Sequence, residues 1–286
     1  MSFYNNYKKN KKSAKIGKAI SIIILVGFAI ITLFPIYFMI ISSFGDPVEA
    51  GAMSYSLFPQ KLTLDSYKFF FHFSKYSYRW LLNSLVVAST VTISNVIFAG
   101  MAGYAFAKIK FPGSKFIFFM LLCSMMVPYQ VTQIPLYILV VNTFNMSNTY
   151  AALILPGLCG VFNIFLAKQF MSTLPKEIIE SAKIDGCNQL QIFIKIILPL
   201  SKTILAVMAI LTFMENWNSF FWPFLATKTM DMQTIQVGLK SFRFANTTYF
   251  APMMAGATIS ALPMFILFFC LQKYFLEGVT VGAVKG

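Results

Sequence analysis

Apolar runs long enough to cross a membrane alternate with polar breaks along the whole chain. The runs cover about residues 16–44, 80–107, 116–141, 150–170, 200–225 and 253–274. The breaks fall at about 45–79, Lys108–Lys115, Asn142–Thr149, about 171–199 and about 226–252. A helix needs about 20 apolar residues to span a hydrocarbon core, and helices satisfy their own backbone groups there. The pattern therefore predicts an all-α polytopic membrane protein with six transmembrane helices. Residues 1–15 form a basic arm, residues 16–286 a single transmembrane domain, and Phe275–Gly286 a short tail.

Several runs carry features that lipid alone does not explain. Pro35 predicts a kink near the outer end of the first run. Trp80 and Leu81 mark an interface at the start of the second. The third holds Pro128 and Pro135 with Gln130, Thr132 and Gln133 between them. These amides are costly in lipid unless they face protein or water. A kinked helix lining a polar pathway and helix packing with satisfied amides both fit. Glu215 is the one acid inside a predicted run, beside Asn216 and Asn218. A pathway role, bonding between helices and a position near the interface remain open for it. Trp222 reads as an interface anchor rather than a stacking platform.

The break at 171–199 has internal order. Pro175 fits the first turn of a helix, with Glu177 and Glu180 near its positive end. Ile178, Ile179 and Ala182 fall on one helical face. Gly186 can end that helix in a left-handed conformation. Asn188 then caps a second helix, Gln189–Leu198, which Pro199 ends. This predicts a helix-turn-helix across the mouth of the bundle. Asp185 breaks the pattern, because an acid at a helix C-terminus is mildly unfavourable. Either it caps the second helix, or it pairs with a partner or an adjacent loop.

Composition agrees with a membrane protein: 58% of residues are hydrophobic and 11% charged, against about 25% charged in soluble domains. The formal charge of +14 does not indicate nucleic acid, because the basic residues sit between apolar runs. Sixteen of the 23 lysines and arginines fall on the side holding both termini and the 171–199 break, and seven on the other. That bias predicts cytoplasmic termini and a cytoplasmic helix-turn-helix. The basic N-terminal arm also suits anionic lipid. The first run is too long for a secretory h-region and lacks a small-residue cleavage site, so it should stay as a span. Cys123, Cys159, Cys187 and Cys270 lack metal spacing, and His72 is the single histidine, so no metal site is expected. There is no phosphate-binding loop motif of the GxxxxGK[ST] type. One acid and no histidine within the spans leave no catalytic pair for an intramembrane enzyme.

The loop residues carry a resemblance. Glu180-Ser181-Ala182, then Asp185-Gly186, then nine residues before Ile196 and Leu198-Pro199, resemble the EAA loop of permease subunits of bacterial ABC importers. Asp185-Gly186 is similar to the carbohydrate-uptake branch. So are Pro128-x-Gln130-Val131 through Pro135-Leu136-Tyr137, Trp217-Asn218-Ser219-Phe220-Phe221-Trp222-Pro223, and the run from Gln272 to Gly286. That last segment resembles the second membrane subunit of the maltose importer. The resemblance implies a permease without catalysis or cofactor of its own, in the bacterial inner membrane. It implies a heterodimer with a second permease, a cytoplasmic ATPase dimer that uses ATP and Mg, and an extracytoplasmic substrate-binding protein. It assigns ATPase coupling to Glu180, Ser181, Ala182, Asp185, Gly186 and Pro199. A sugar is read by hydrogen bonds and aromatic faces, so Gln130, Gln133, Glu215, Trp217 and Asn218 are candidates to line the pathway. Glycerol phosphate or another polar solute on the same scaffold is the alternative cargo.

Overall fold

The computed structural model describes residues 2–47, 61–243 and 249–283, with side chains for 17–47, 61–243 and 249–273. The side chains of Lys8–Lys15, and Val284, Lys285 and Gly286 of the expected tail, lie outside those described. The described residues are helical and contain no β-strand. They fall into two units, residues 1–70 with 242–259, and residues 71–241 with 260–286.

In the first unit, helix α1 runs from Ser2 to Ser43 with Pro35 inside it. Its segment Gly17–Ser43 is long and apolar enough to span a membrane, yet none of its most apolar window is buried against this chain. A helix apolar on all sides suits lipid. The expected polar stretch after it contains a helix of its own, α2 (Asp65–Phe73). The Ser66 hydroxyl donates to the carbonyl of Gly45 (2.7 Å), and Tyr67 shares a 2.6 Å hydrogen bond with Ser43. Together these bonds hold α2 to the end of α1.

The second unit holds the bundle. The second span is α3 (Ser77–Ser94), a π-helical turn Asn95–Ala99 and α4 (Gly100–Lys108). The third is not one helix. Helix α5 (Ser114–Ser124) and the pair α6 (Tyr129–Tyr137) plus π turn Ile138–Thr143 meet at 95°. Pro128 explains the break: proline pushes the preceding residue out of helical geometry, and Pro128 itself is extended (ψ 134°), starting α6 anew. The fourth span comprises α7 (Tyr150–Ile154), a 3-10 turn and α8 (Val161–Ser172).

The 171–199 break holds α9 (Lys176–Ile184) and α10 (Gln189–Ile192). Pro175 precedes the first turn as its N-cap rather than lying within it. Pro199 does not end the second helix. A π turn at Phe193–Ile197 leads into α11 (Leu198–Leu200), and the break comes at Ser201, where α12 (Lys202–Trp217) leaves at 82°. A proline ring would collide with the carbonyl four residues earlier. The wider π turn just before Pro199 relieves that collision and lets the helix continue. The fifth span therefore starts at Lys202, stops at Trp217 and resumes as α13 (Phe221–Ala226). A short helix, α14 (Ile235–Leu239), lies in the expected external stretch. The last helix, α15, runs from Phe250 to Ala283, through much of the expected tail. Among the described residues four helices are long and apolar enough to span on their own, and the number reaches six if the bent pairs 114–124 with 129–143 and 189–200 with 202–217 each count as one.

Packing in this unit centres on the second span, with α4 against α8 and α3 against α12. At Gly103 the helices meet backbone to backbone. A Cβ there would collide with the Cβ of Ala167 and lie 2.8 Å from the amide nitrogen of Lys168. Gly103→Ala is expected to destabilise the protein by about 1–3 kcal/mol through overpacking. A lowered thermal midpoint of the purified protein would register this, and an unchanged midpoint would refute the close contact.

The helix-turn-helix and the polar interior

The two loop helices share one core with the spans. Ile179 and Ala182 of α9 and Ile192, Phe193 and Ile197 beyond it are buried with Tyr104, Ala167, Met171 and Met208 of three different spans. Ile178, expected on the same face, is instead exposed. Burial selects positions 179 and 182, three apart, which lie directly above one another on a helix. The Tyr104 hydroxyl donates to Gln189 Oε1 (2.8 Å), fastening the start of α10 to the second span. The Lys108 ammonium reaches the carbonyls of Leu174 (2.5 Å) and Ser172 (3.4 Å), fastening the approach to α9.

The turn is set by two local devices. Gly186 has φ +80°, its N–H donates to the Lys183 carbonyl (3.0 Å), and the Cys187 N–H donates to the Ala182 carbonyl (3.0 Å). This pair of bonds is a Schellman motif, and the left-handed position favours glycine. Asn188 Oδ1 then accepts from the Gln191 N–H, while Gln191 Oε1 accepts from the Asn188 N–H, both at 2.9 Å. This capping box leaves no task for Asp185 at the second helix. Asp185 is the C-cap of α9, exposed, and its carboxylate has no partner among the described residues. The reading of Asp185 as a cap for the second helix is therefore corrected: Asn188 does that work.

The other loop candidates separate by exposure. Ala182 is buried in the base, and Glu180 and Ser181 are exposed, with the Ser181 hydroxyl turned back to the Glu177 carbonyl (2.8 Å). Pro199 sits in the last turn before the 82° break. Ile184 at the tip is 87% exposed.

The intramembrane candidates differ in exposure. Trp217 is 2% exposed, stacks on Phe213 (5.6 Å between ring centroids) and donates its indole N–H to the Ser260 carbonyl (2.9 Å). It is a packing residue and presents no face to a solute. Trp222 is likewise buried, donating to the Ala152 carbonyl (3.0 Å), so it anchors α13 to α7 rather than to an interface. Gln130, Glu215 and Asn218 are exposed. Glu215 lies in the last turn of α12, not mid-helix, because the helix stops at Trp217. Gln133 is 1% exposed, and its amide neighbours the Tyr129 hydroxyl one turn earlier on α6.

Two polar groupings escaped the sequence reading. Asn95, in the π turn, donates to the carbonyls of Val91 (3.0 Å) and Gly157 (2.6 Å). Its Oδ1 accepts from the Gly160 N–H (2.6 Å) and from Asn163 (2.9 Å), which also donates to Thr212 Oγ1 (2.9 Å). This network joins the second, fourth and fifth spans. Single asparagines inside apolar runs give little warning of such pairing. The second grouping is a cavity of about 820 Å³ beside α9, lined by lysines from four segments. Those lysines are separated in sequence by up to 75 positions, from Lys108 to Lys183.

Asn188→Ala should cost about 0.5–2 kcal/mol through loss of the cap. Hydrogen exchange is expected to speed up at residues 188–192 and to stay unchanged in α4 and α8. Equal protection in variant and parent would exclude the capping role.

The description "binding-protein-dependent transport system inner membrane component" matches residues 95–281. The chain is 34% identical over 277 residues to the arabinooligosaccharides transport system permease protein AraQ of Halalkalibacterium halodurans, covering 95% of this chain and 99% of that protein. It is 30% identical over 263 residues to the sn-glycerol-3-phosphate transport system permease protein UgpE of Escherichia coli, covering 90% and 93%. A chain in the crystal structure of a bacterial ABC transporter that imports the acidic polysaccharide alginate has the same fold, with a TM-score of 0.80 at 22% identity over 92% of this chain and 98% of that one. The chain belongs to the family of inner-membrane components of binding-protein-dependent transport systems, the permease subunits of ABC importers.

Proposed function

We propose that this chain is one of two permease subunits of an ATP-driven importer of sugars, and that α9, the Gly186 turn and α10 receive the stroke of the ATPase. The observation that carries the reading is the contrast within the loop. Its base is buried among residues of three spans, while Ile184 and Asp185 stand exposed at the tip. A partner can change the state of a protein only through different affinity for its two states. A tip held by a shared core passes displacement to α4, α8 and α12 rather than flexing. Asp185, without a partner among the described residues, is the residue offered to the ATPase.

The remaining roles follow from the same reading. A second, related permease completes the translocation pathway, and a substrate-binding protein delivers the solute from outside. ATP and Mg are used by the ATPase, and this chain binds no cofactor. The lysine and arginine bias puts both termini and the loop in the cytoplasm. Gln130, Gln133, Glu215 and Asn218 contribute to the polar wall of the pathway. Sugar as the cargo rests on the relative that serves arabinooligosaccharides. The glycerol phosphate permease among the relatives supports that solute as the second reading.

Gly186→Val tests the coupling role. A Cβ at Gly186 meets nothing within 4 Å, so the variant alters only the turn, at about 1–2 kcal/mol for a left-handed non-glycine residue. Uptake is expected to fall, either with ATP hydrolysis continuing or with the ATPase no longer co-purifying. Unchanged uptake with unchanged co-purification would defeat the coupling role. Glu215→Gln should change uptake while the complex assembles normally. If the complex fails to assemble, Glu215 bonds helices instead. Comparing ATPase stimulation by binding proteins loaded with oligosaccharide or glycerol phosphate decides the cargo.

A further inference from the structure

We infer that the lysine-lined cavity beside α9 holds the headgroup of an anionic phospholipid, with the acyl chains lying along α5. The cavity of about 820 Å³ is lined by Lys108 at the end of α4 and Lys110 just after it, Lys115 on α5, Lys168 on α8, and Lys176 and Lys183 on α9. Glu180 is the one carboxylate on its wall. Among the described residues, none of these six ammonium groups forms an ion pair. Lys176 is close enough to repel Lys108, with Glu177 acting in the opposite sense. A positive-inside bias explains lysines on this side of the bundle. It does not explain why four separate segments turn six of them toward one space with so little charge to offset them.

The adjoining surface says what kind of anion fits. Helix α5 starts at the cavity and buries none of its residues against this chain. Phe116, Phe119 and Met120 are all more than half exposed. At about 1.5 Å per residue its 11 residues extend about 16 Å, close to one leaflet of a hydrocarbon core about 30 Å thick. Phe106, Phe111 and Phe118 form the apolar part of the cavity wall, and the Lys168 ammonium lies 4.5 Å from the Phe118 ring centroid. A cationic recess that opens onto a leaflet-length apolar helix matches a molecule with an anionic phosphate at one end and hydrocarbon beyond it. Free phosphate would use the recess and leave α5 unused. Because Lys176 and Lys183 belong to α9, a bound headgroup would also tie the helix-turn-helix to the bilayer surface.

The test uses the full chain in its assembled complex, exchanged into mixed phosphatidylglycerol and phosphatidylcholine, with retained lipid counted by native mass spectrometry. The parent should retain phosphatidylglycerol selectively. Lys110→Gln alone should weaken retention about fivefold, and Lys110→Gln with Lys115→Gln and Lys168→Gln about a hundredfold, from about 1 kcal/mol per lysine at about 1.4 kcal/mol per tenfold. Lys61→Gln with Lys68→Gln and Lys228→Gln, all outside the cavity, should change nothing. Equal retention in the parent and in the exposed single variant Lys110→Gln overturns the proposal. So does displacement of the lipid by millimolar inorganic phosphate, which would mark a soluble-anion site. Loss of the ATPase with the lipid count unchanged would show instead that the lysines face an acidic protein surface. None of these readouts requires uptake, so failure here leaves the coupling role untouched.

Discussion

The close contact of the second and fourth spans at Gly103 and Ala167 is the constraint on which the rest of the second unit depends. Helices in lipid gain little from burying apolar surface against one another, because the lipid is equally apolar, so small residues that allow close van der Waals packing matter more. Tyr104, the next residue, and Met171, one turn beyond Ala167, continue the same seam, and the buried faces of α9 and α10 rest on it. The loop is thus an extension of a helix pair rather than a tether between spans. Its stiffness is inherited from that seam, and the Tyr104–Gln189 and Lys108–Leu174 hydrogen bonds fix it at both ends.

Much of this was legible in the sequence because it rests on local rules. Apolar runs marked the spans, Gly186 announced a left-handed turn and Asn188 a cap, and all three appear in the structure. The failures also share a cause. Pro199 was read as a terminator, but the π turn before it absorbed the proline. Pro128 was read as a kink, but the chain left helical geometry there and turned by 95°. Proline states that a helix is in difficulty, and only the surrounding turns decide how the difficulty is resolved. Asp185 stood open between capping the second helix and pairing elsewhere, and the capping box at Asn188 and Gln191 satisfies that helix without it.

Tertiary groupings were beyond local rules. Trp217 stands in a motif segment beside Asn218, yet its indole is sealed against Phe213 and Ser260, a contact 43 positions away. Asn95 and Asn163 look like isolated polar residues until the fold joins them. The six lysines read as topology signals when counted along the chain, and as a charged recess only once four segments converge.

The buried amides of the bundle differ in what they join. Asn95 uses both ends of its side chain, binding backbone groups and a side chain from the fourth span. Leaving such a group unpaired in a buried site costs about 1–3 kcal/mol, so satisfaction of this kind is what a structural amide requires. Gln133 is equally buried but is not tied into such a network: the side-chain neighbour of its amide is Tyr129, one turn away on the same helix. A contact of that kind stays within α6 and joins no two spans. The asparagine network therefore carries the polar bonding between spans, and the glutamine just past the 95° bend of the third span does not.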